Sequence, residues 1–169
     1  MGNQVIEVIK SRRSIRKYIQ KEVKEEIIKD IIDCARLAPT GYNNQGWVFL
    51  LIRDSEMRKS IASQAKYGKF LAEAPVCIAV FYDVEGATTP LQDVSAATEN
   101  IIIAARAYGL GTCWVNSYKK EHTKQIMKEL NCPRNLELMA LISLGYYDSK
   151  SINDISKKPL EEVLKWDKF

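Results

Sequence analysis

APVCIAVFY (residues 74–82) sets a proline ahead of seven consecutive apolar residues. Valine, isoleucine, phenylalanine and tyrosine favour extended backbone, and nothing polar alternates with them. The run therefore predicts a central strand buried on both faces, which needs covering layers above and below.

The flanking segments supply those layers. Upstream, WVFLLI (47–52) is short and rich in aromatic and branched residues, a second strand, and Ser55 can cap a helix reaching about Gln64. Further back, residues 21–38 place Val23, Ile27, Ile31 and Cys34 or Ala35 at three- and four-residue intervals, an amphipathic helix stopped by Pro39. QVIEVIK (4–10) fits a short helix. Downstream, residues 92–108 repeat Val94, Ala97, Ile101, Ala104, Ala105 and Tyr108, and the small alanines imply close helix packing. Gly109-Leu110-Gly111 ends that helix and TCWV continues as a strand. A polar helix near 121–130 turns Ile126, Met127 and Leu130 inward, and LELMALISLGY (136–146) is the last strand. Helices alternating with at least four strands predict an α/β or α+β sandwich with helices over the sheet, in one domain spanning residues 1–169. Strand order is not readable. The tail keeps Leu160, Val163, Leu164, Trp166 and Phe169 among charged residues, so it lies over its own domain or reaches across to another subunit.

Composition removes several function classes. Apolar residues at 46% and charged residues at 27% are the mix of a folded rather than a disordered chain. Basic residues exceed acidic ones by only 25 to 21, which is weak support for a nucleic-acid partner. Cysteines 34, 77, 113 and 132 form no Cys-x-x-Cys pair, so no zinc site is expected. No apolar run approaches the roughly 20 residues that span a bilayer, and no secretory segment is visible. The expected place is the cytoplasm. The single histidine, His122, sits in a polar stretch and reads as a surface residue, which leaves Ser–His–acid and Cys–His arrangements with little support.

Three segments carry more polar or flexible residues than packing requires. Arg12, Arg13, Ser14 and Arg16 offer forked donors and a hydroxyl suited to phosphate oxygens, or simply a solvated helix end. In an extended segment Arg12 and Ser14 point one way and Arg13 the other. Pro39 to Gln45 (PTGYNNQ) sets hydroxyls and amides between a helix and a strand, suiting a heterocycle edge or a polyol, or else forming a turn with left-handed backbone. Gly109 to Thr112 lets backbone approach a flat ligand, or merely terminates a helix. It is not the dinucleotide fingerprint, since it follows a helix instead of a strand.

In this order, RRSIRKY (12–18), APTGYNNQGWVFLLI (38–52), APVCIAVF (74–81), AARAYGLGTCWV (104–115) and SLGYYDSKSINDISKKPLEEV (143–163) resemble the nitroreductase family of flavoenzymes over nearly the whole chain. The resemblance implies an α+β, three-layer α/β/α sandwich with a mainly antiparallel sheet. It further implies an intertwined homodimer that exchanges C-terminal tails and holds FMN across the interface. Arg12, Arg13 and Ser14 correspond to the grip on phosphate and ribityl oxygens, and Arg16 to a cation near the flavin N1–O2 edge. Pro39, Thr40, Gly41 and Asn43 are expected at the partner's flavin, Leu110 and Gly111 near its reactive N5 side, and Lys157 and Lys158 over the phosphate. Gly46 stands where a proline is common, and the lysine pair where many relatives have arginine.

The activity so implied is ping-pong hydride transfer from NADH or NADPH through flavin N5 to a nitroaromatic, quinone or similar small acceptor. Arg16, Leu110 and Gly111 lie nearest the chemistry, and no metal takes part. A related reductase for enones, halogenated aromatics or a protein electron acceptor is the alternative. A non-catalytic flavin-binding scaffold or redox sensor is another.

Overall fold

The computed structural model describes residues 3–85, 87–152 and 155–169. Asn153 and Asp154 of the late motif lie outside them. Among the described residues there are six helices: α1 (Gln4–Ser11), α2 (Glu25–Arg36), α3 (Ser55–Gln64), α4 (Pro90–Ala107), α5 (Thr123–Glu129) and α6 (Leu160–Val163). Four strands, β1 (Trp47–Ile52), β2 (Val76–Asp83), β3 (Gly111–Asn116) and β4 (Leu136–Gly145), form one sheet in the order β1-β2-β4-β3. Every neighbouring pair is antiparallel.

The apolar run that predicted a central strand is β2, hydrogen-bonded on both edges and covered on both faces. Val76, Ile78, Val80 and Tyr82 join a core with Ile28, Ile31 and Ala35 of α2 and Val94, Ala97, Ile101 and Ala105 of α4. Cys77, Ala79 and Phe81 point the other way, into a second core with Ile61 and Ala62 of α3, Ile126 of α5 and Leu71 of the 3-10 turn Lys69–Ala72. Each fully buried Ile or Leu contributes about 1.5–3 kcal/mol. This is the expected sandwich. Helix layers make an antiparallel sheet read as uniformly apolar, a pattern more often produced by parallel strands.

Local chemistry sets the element ends. Asp54, not Ser55, caps α3 by accepting from Met57 N at 2.7 Å. Pro90 opens α4 two residues earlier than the periodicity indicated, because its fixed φ suits the first helical position. The expected 21–38 helix begins only at Glu25. The chain before it is held extended by Ile19 N donating to Tyr146 O and by Lys21 resting 4.3 Å from the Tyr146 ring centroid. Between β2 and β4, Val80 faces Ala140 while Phe81 faces Leu138, so Met139 is an inserted residue. Its carbonyl accepts from both Ser117 N and Tyr118 N, closing β3 at that end.

Two helices leave apolar faces uncovered. α1 buries none of its residues, with Val5, Ile6 and Ile9 exposed, and α6 with the residues after it exposes Leu160, Val163, Trp166 and Phe169.

Candidate active site

The basic segment crosses the end of the sheet beside β3. Ser14 forms an isolated parallel bridge with Thr112, through Ile15 N donating to Thr112 O at 2.8 Å. Ile15 is buried against Gly111, where a Cβ would come within 2.7 Å of Ile15 Cγ1. Glycine there lets the two backbones touch. The Tyr18 hydroxyl donates to Ile15 O at 2.6 Å and lies 2.5 Å from Ser143 Oγ on β4. Arg106 of α4 holds the other end, donating to Ser11 Oγ at 3.1 Å and Tyr147 Oη at 2.8 Å.

So fixed, alternate side chains diverge as the extended backbone requires. Arg13 turns back, its Nη1 donating to Lys10 O and Arg12 O at 2.9 and 2.8 Å, which completes the end of α1. Arg12, Ser14 and Arg16 share the surroundings of Cys113. Burial pushes that thiol up, while the Arg16 charge, a bond with Ser14 and the Arg12 charge oppose the shift.

Arg16 also lines a cavity of about 900 Å³. Its guanidinium stands 5.8 Å from the Phe70 ring centroid, and the β3 residues Cys113 to Asn116 also line the cavity. Thr112 O faces away from β4, toward Ile15. By the alternation of an antiparallel ladder, the backbone groups of Trp114 and Asn116 face that open edge too. They are N–H donors and carbonyl acceptors in a row, the complement of a heterocycle's mixed edge. The Trp114 Nε1–H is likewise buried with no acceptor among the described residues.

His122, read as a surface residue from sequence, is half-buried and lines this same cavity. Its Nε2 is 3.2 Å from the buried Ser117 Oγ. Burial first, then Lys120, hold the imidazole below its ordinary pKa. Tyr67, 79% exposed, and Gln64 complete the rim.

The other expected site residues are placed elsewhere. Leu110 is buried and its N–H donates to Ala105 O at 2.9 Å. Neither it nor Gly111 lines the cavity, whose wall begins at Cys113. Gly109, at φ 72, is the left-handed residue that ends α4. Thr40, Gly41 and Asn43 follow Pro39 in a loop on the α2–α4 side and do not reach the cavity. Lys157 and Lys158 are exposed in the tail. One chain thus brings Arg12, Ser14 and Arg16 beside Cys113, while neither the amide-rich loop nor the lysine pair lines the Arg16 cavity.

Comparison with known proteins bears on this arrangement. A family model described as the nitroreductase family matches residues 9–66 and 56–146. A protein of Archaeoglobus fulgidus named "Putative NADH dehydrogenase/NAD(P)H nitroreductase" is 38% identical over 146 residues, 83% of this chain and 84% of that protein. Among solved structures, the FMN-dependent nitroreductase of Clostridium difficile R20291 superposes with a TM-score of 0.90 at 29% identity, covering 97% of this chain and 99% of its own. A "putative nitroreductase in complex with FMN" from Desulfovibrio desulfuricans is 32% identical with a TM-score of 0.86, covering 100% of this chain and 99% of its own.

Proposed function

The chain belongs to the nitroreductase family, and from that premise we propose how an FMN-dependent oxidoreductase using NAD(P)H works with these residues. The observation that carries the reading is the Arg16 cavity, walled on one side by an open strand edge. When bound, FMN supplies a ring that takes up a hydride from the nicotinamide and hands electrons on.

The residues present fit such a group. Arg12 and Ser14 converge on one side beside Cys113, suiting a phosphate and the polyol next to it. Arg13 shapes the turn that aims them, through its bonds to the Lys10 and Arg12 carbonyls. Trp114 and Asn116 present backbone donors and acceptors along the cavity's open strand edge. Leu110 and Gly111, where the chain enters that strand, keep their place near the reactive N5 side in this proposal, and Gly111 also lets Ile15, and with it Ser14 and Arg16, lie against the start of β3. Arg16 sets its guanidinium on the cavity wall beside Phe70, where it would stabilise negative charge developing on the ring.

The reaction asks little else of side chains. Reductant and acceptor occupy the cavity in turn, and a nitroaromatic or quinone is the acceptor class that suits its aromatic rim of Tyr67, Phe70 and Trp114.

Residues 1–169 act as one unit of a homodimer in this proposal. Pro39, Thr40, Gly41 and Asn43 reach the second copy's FMN, and Lys157 and Lys158 close over a phosphate as point charges. The uncovered apolar residues of α1 and the tail, and the distance of the amide loop from the chain's own cavity, support it. Among the described residues no helix is long and apolar enough to cross a membrane.

Initial rates with NADH or NADPH against a benzoquinone and a nitrobenzoate test this reading. Parallel double-reciprocal lines are expected, and intersecting lines contradict alternating occupancy. FMN bound without any nicotinamide oxidation would leave only the scaffold alternative.

A further inference from the structure

Asp93 on α4 is the one buried carboxylate among the described residues, 4% exposed. Its Oδ1 accepts from Gly41 N at 3.2 Å and from Thr89 Oγ1 at 3.0 Å, and its Oδ2 accepts from Tyr82 Oη at 2.6 Å. A carboxylate taken out of water needs such donors to replace hydration. The three come from separate places: the loop after α2, the turn before α4, and β2.

The same tyrosine supports the far end of that loop. At Gly46 a Cβ would come within 2.7 Å of Tyr82 Cε1, so the backbone lies directly on the ring. Gly41 is held as closely, since a Cβ there would come too near Thr89 Oγ1. The segment is therefore held at the Gly41 end by Asp93 and Thr89, and at the Gly46 end by the Tyr82 ring together with Asp83 N donating to Gly46 O at 2.7 Å, with Asp93 and Tyr82 hydrogen-bonded to each other.

Between those ends the backbone is strained. Tyr42, Asn43 and Gln45 have φ values of 52, 58 and 50°. Left-handed backbone is sterically costly for a bulky residue such as tyrosine. Tyr42 is 92% exposed, so no packing within the chain offsets that cost. The turn's own bonds, Asn43 N to Thr40 O and Asn44 N to Gly41 O, close it but do not tie it to the body of the protein.

We propose that Asp93 is a positioning residue that, paired with Tyr82, holds residues 41–46 in this conformation and so presents their amides and the Tyr42 ring to the ligand of a second copy. The role rests on the flavoprotein reading above. Nothing in it requires Asp93 to touch the ligand.

The test compares Asp93→Asn and Thr89→Val with Ile101→Val, a core truncation on the same helix that touches no part of the loop. In the full-length protein, FMN dissociation constants come from flavin fluorescence, amide exchange of residues 41–46 from mass spectrometry, and stability from thermal melts. Loss of one charge-assisted bond predicts roughly tenfold weaker FMN binding and roughly tenfold faster exchange at 41–46 in Asp93→Asn. Thr89→Val, which leaves the Gly41 bond in place, moves both in the same direction by less. Ile101→Val lowers the melting temperature with FMN affinity unchanged. The proposal is overturned if Asp93→Asn binds FMN and protects these amides like the wild type, or if Ile101→Val weakens FMN binding as much. Should the wild type bind no FMN at all, the flavoprotein reading falls, and amide exchange alone judges Asp93.

Discussion

The hydroxyls of Tyr18 and Ser143, 125 residues apart in sequence, lie 2.5 Å from each other and join the basic segment to β4. The same phenol donates to Ile15 O, so one group sets both the turn of the segment and its seat on the sheet. Arg16 takes its position from this fastening.

Tyr18→Phe removes that fastening and keeps the ring. Ser143 retains its bond to Cys113 O at 3.3 Å, so the expected loss is about 1–2 kcal/mol of stability, with weaker FMN retention after dialysis. Burial raises the Tyr18 phenol above its ordinary value, and burial and Asp93 push Tyr82 to about 12. Folded values above the unfolded value of about 10 mean that the associated stability is complete below about pH 10 and lost as pH rises further. Denaturation curves from pH 8 to 11 should show that loss in the wild type and less of it in Tyr18→Phe. An identical alkaline slope in both would contradict the assignment.

Arg16 is exposed, and replacing it by alanine should change stability by no more than about 0.5 kcal/mol. The flavin potential should nevertheless fall, with the hydride-transfer rate, because the cation facing the cavity is gone. Arg12→Ala should act differently, weakening FMN retention itself. A redox titration and stopped-flow trace of Arg16→Ala matching the wild type would remove this residue from the mechanism.

Gly46 occupies a position where the resembling family commonly has proline, and the Tyr82 ring supplies a physical reason for glycine. A methyl group there would stand 2.7 Å from an aromatic carbon of the buried Tyr82 ring. Gly46→Ala should therefore cost about 1–3 kcal/mol as an overpacked contact. An unchanged melting temperature would show that the ring can give way.

His122 contributes in the acid range. Its folded pKa lies below the unfolded value of about 6.5, so its share of stability is complete above that pH and lost as pH falls through the folded value. His122→Gln should flatten the stability profile between pH 7 and 5. NMR titration of the ring checks the direction independently, and a midpoint above 6.5 would contradict it.

Much of the fold was legible because periodicity reports burial. The apolar run at 76–82 became the two-sided central strand, and the spacing of Val94, Ala97, Ile101 and Ala105 became the buried face of α4. Non-local features gave no such signal. Strand order, the Met139 insertion and the Tyr18–Ser143 contact each depend on segments far apart in sequence. The polar neighbours of His122 disguised a side chain that folding turns into a cavity, and nothing local marked Asp93, whose partners Gly41 and Tyr82 come from other segments. The alternation of Arg12, Arg13 and Ser14 was readable from extended geometry. The cavity wall at Cys113 to Asn116 was not, because which edge of a strand stays open depends on its neighbours.

If the cavity and the cationic segment hold FMN and pass electrons through it, an absorption spectrum followed through anaerobic addition of NADH and then NADPH will show it. Purified protein should carry the visible bands of oxidised flavin, bleached by at least one of the two nucleotides and restored by a quinone. Colourless protein that takes up no flavin from excess FMN would contradict this reading.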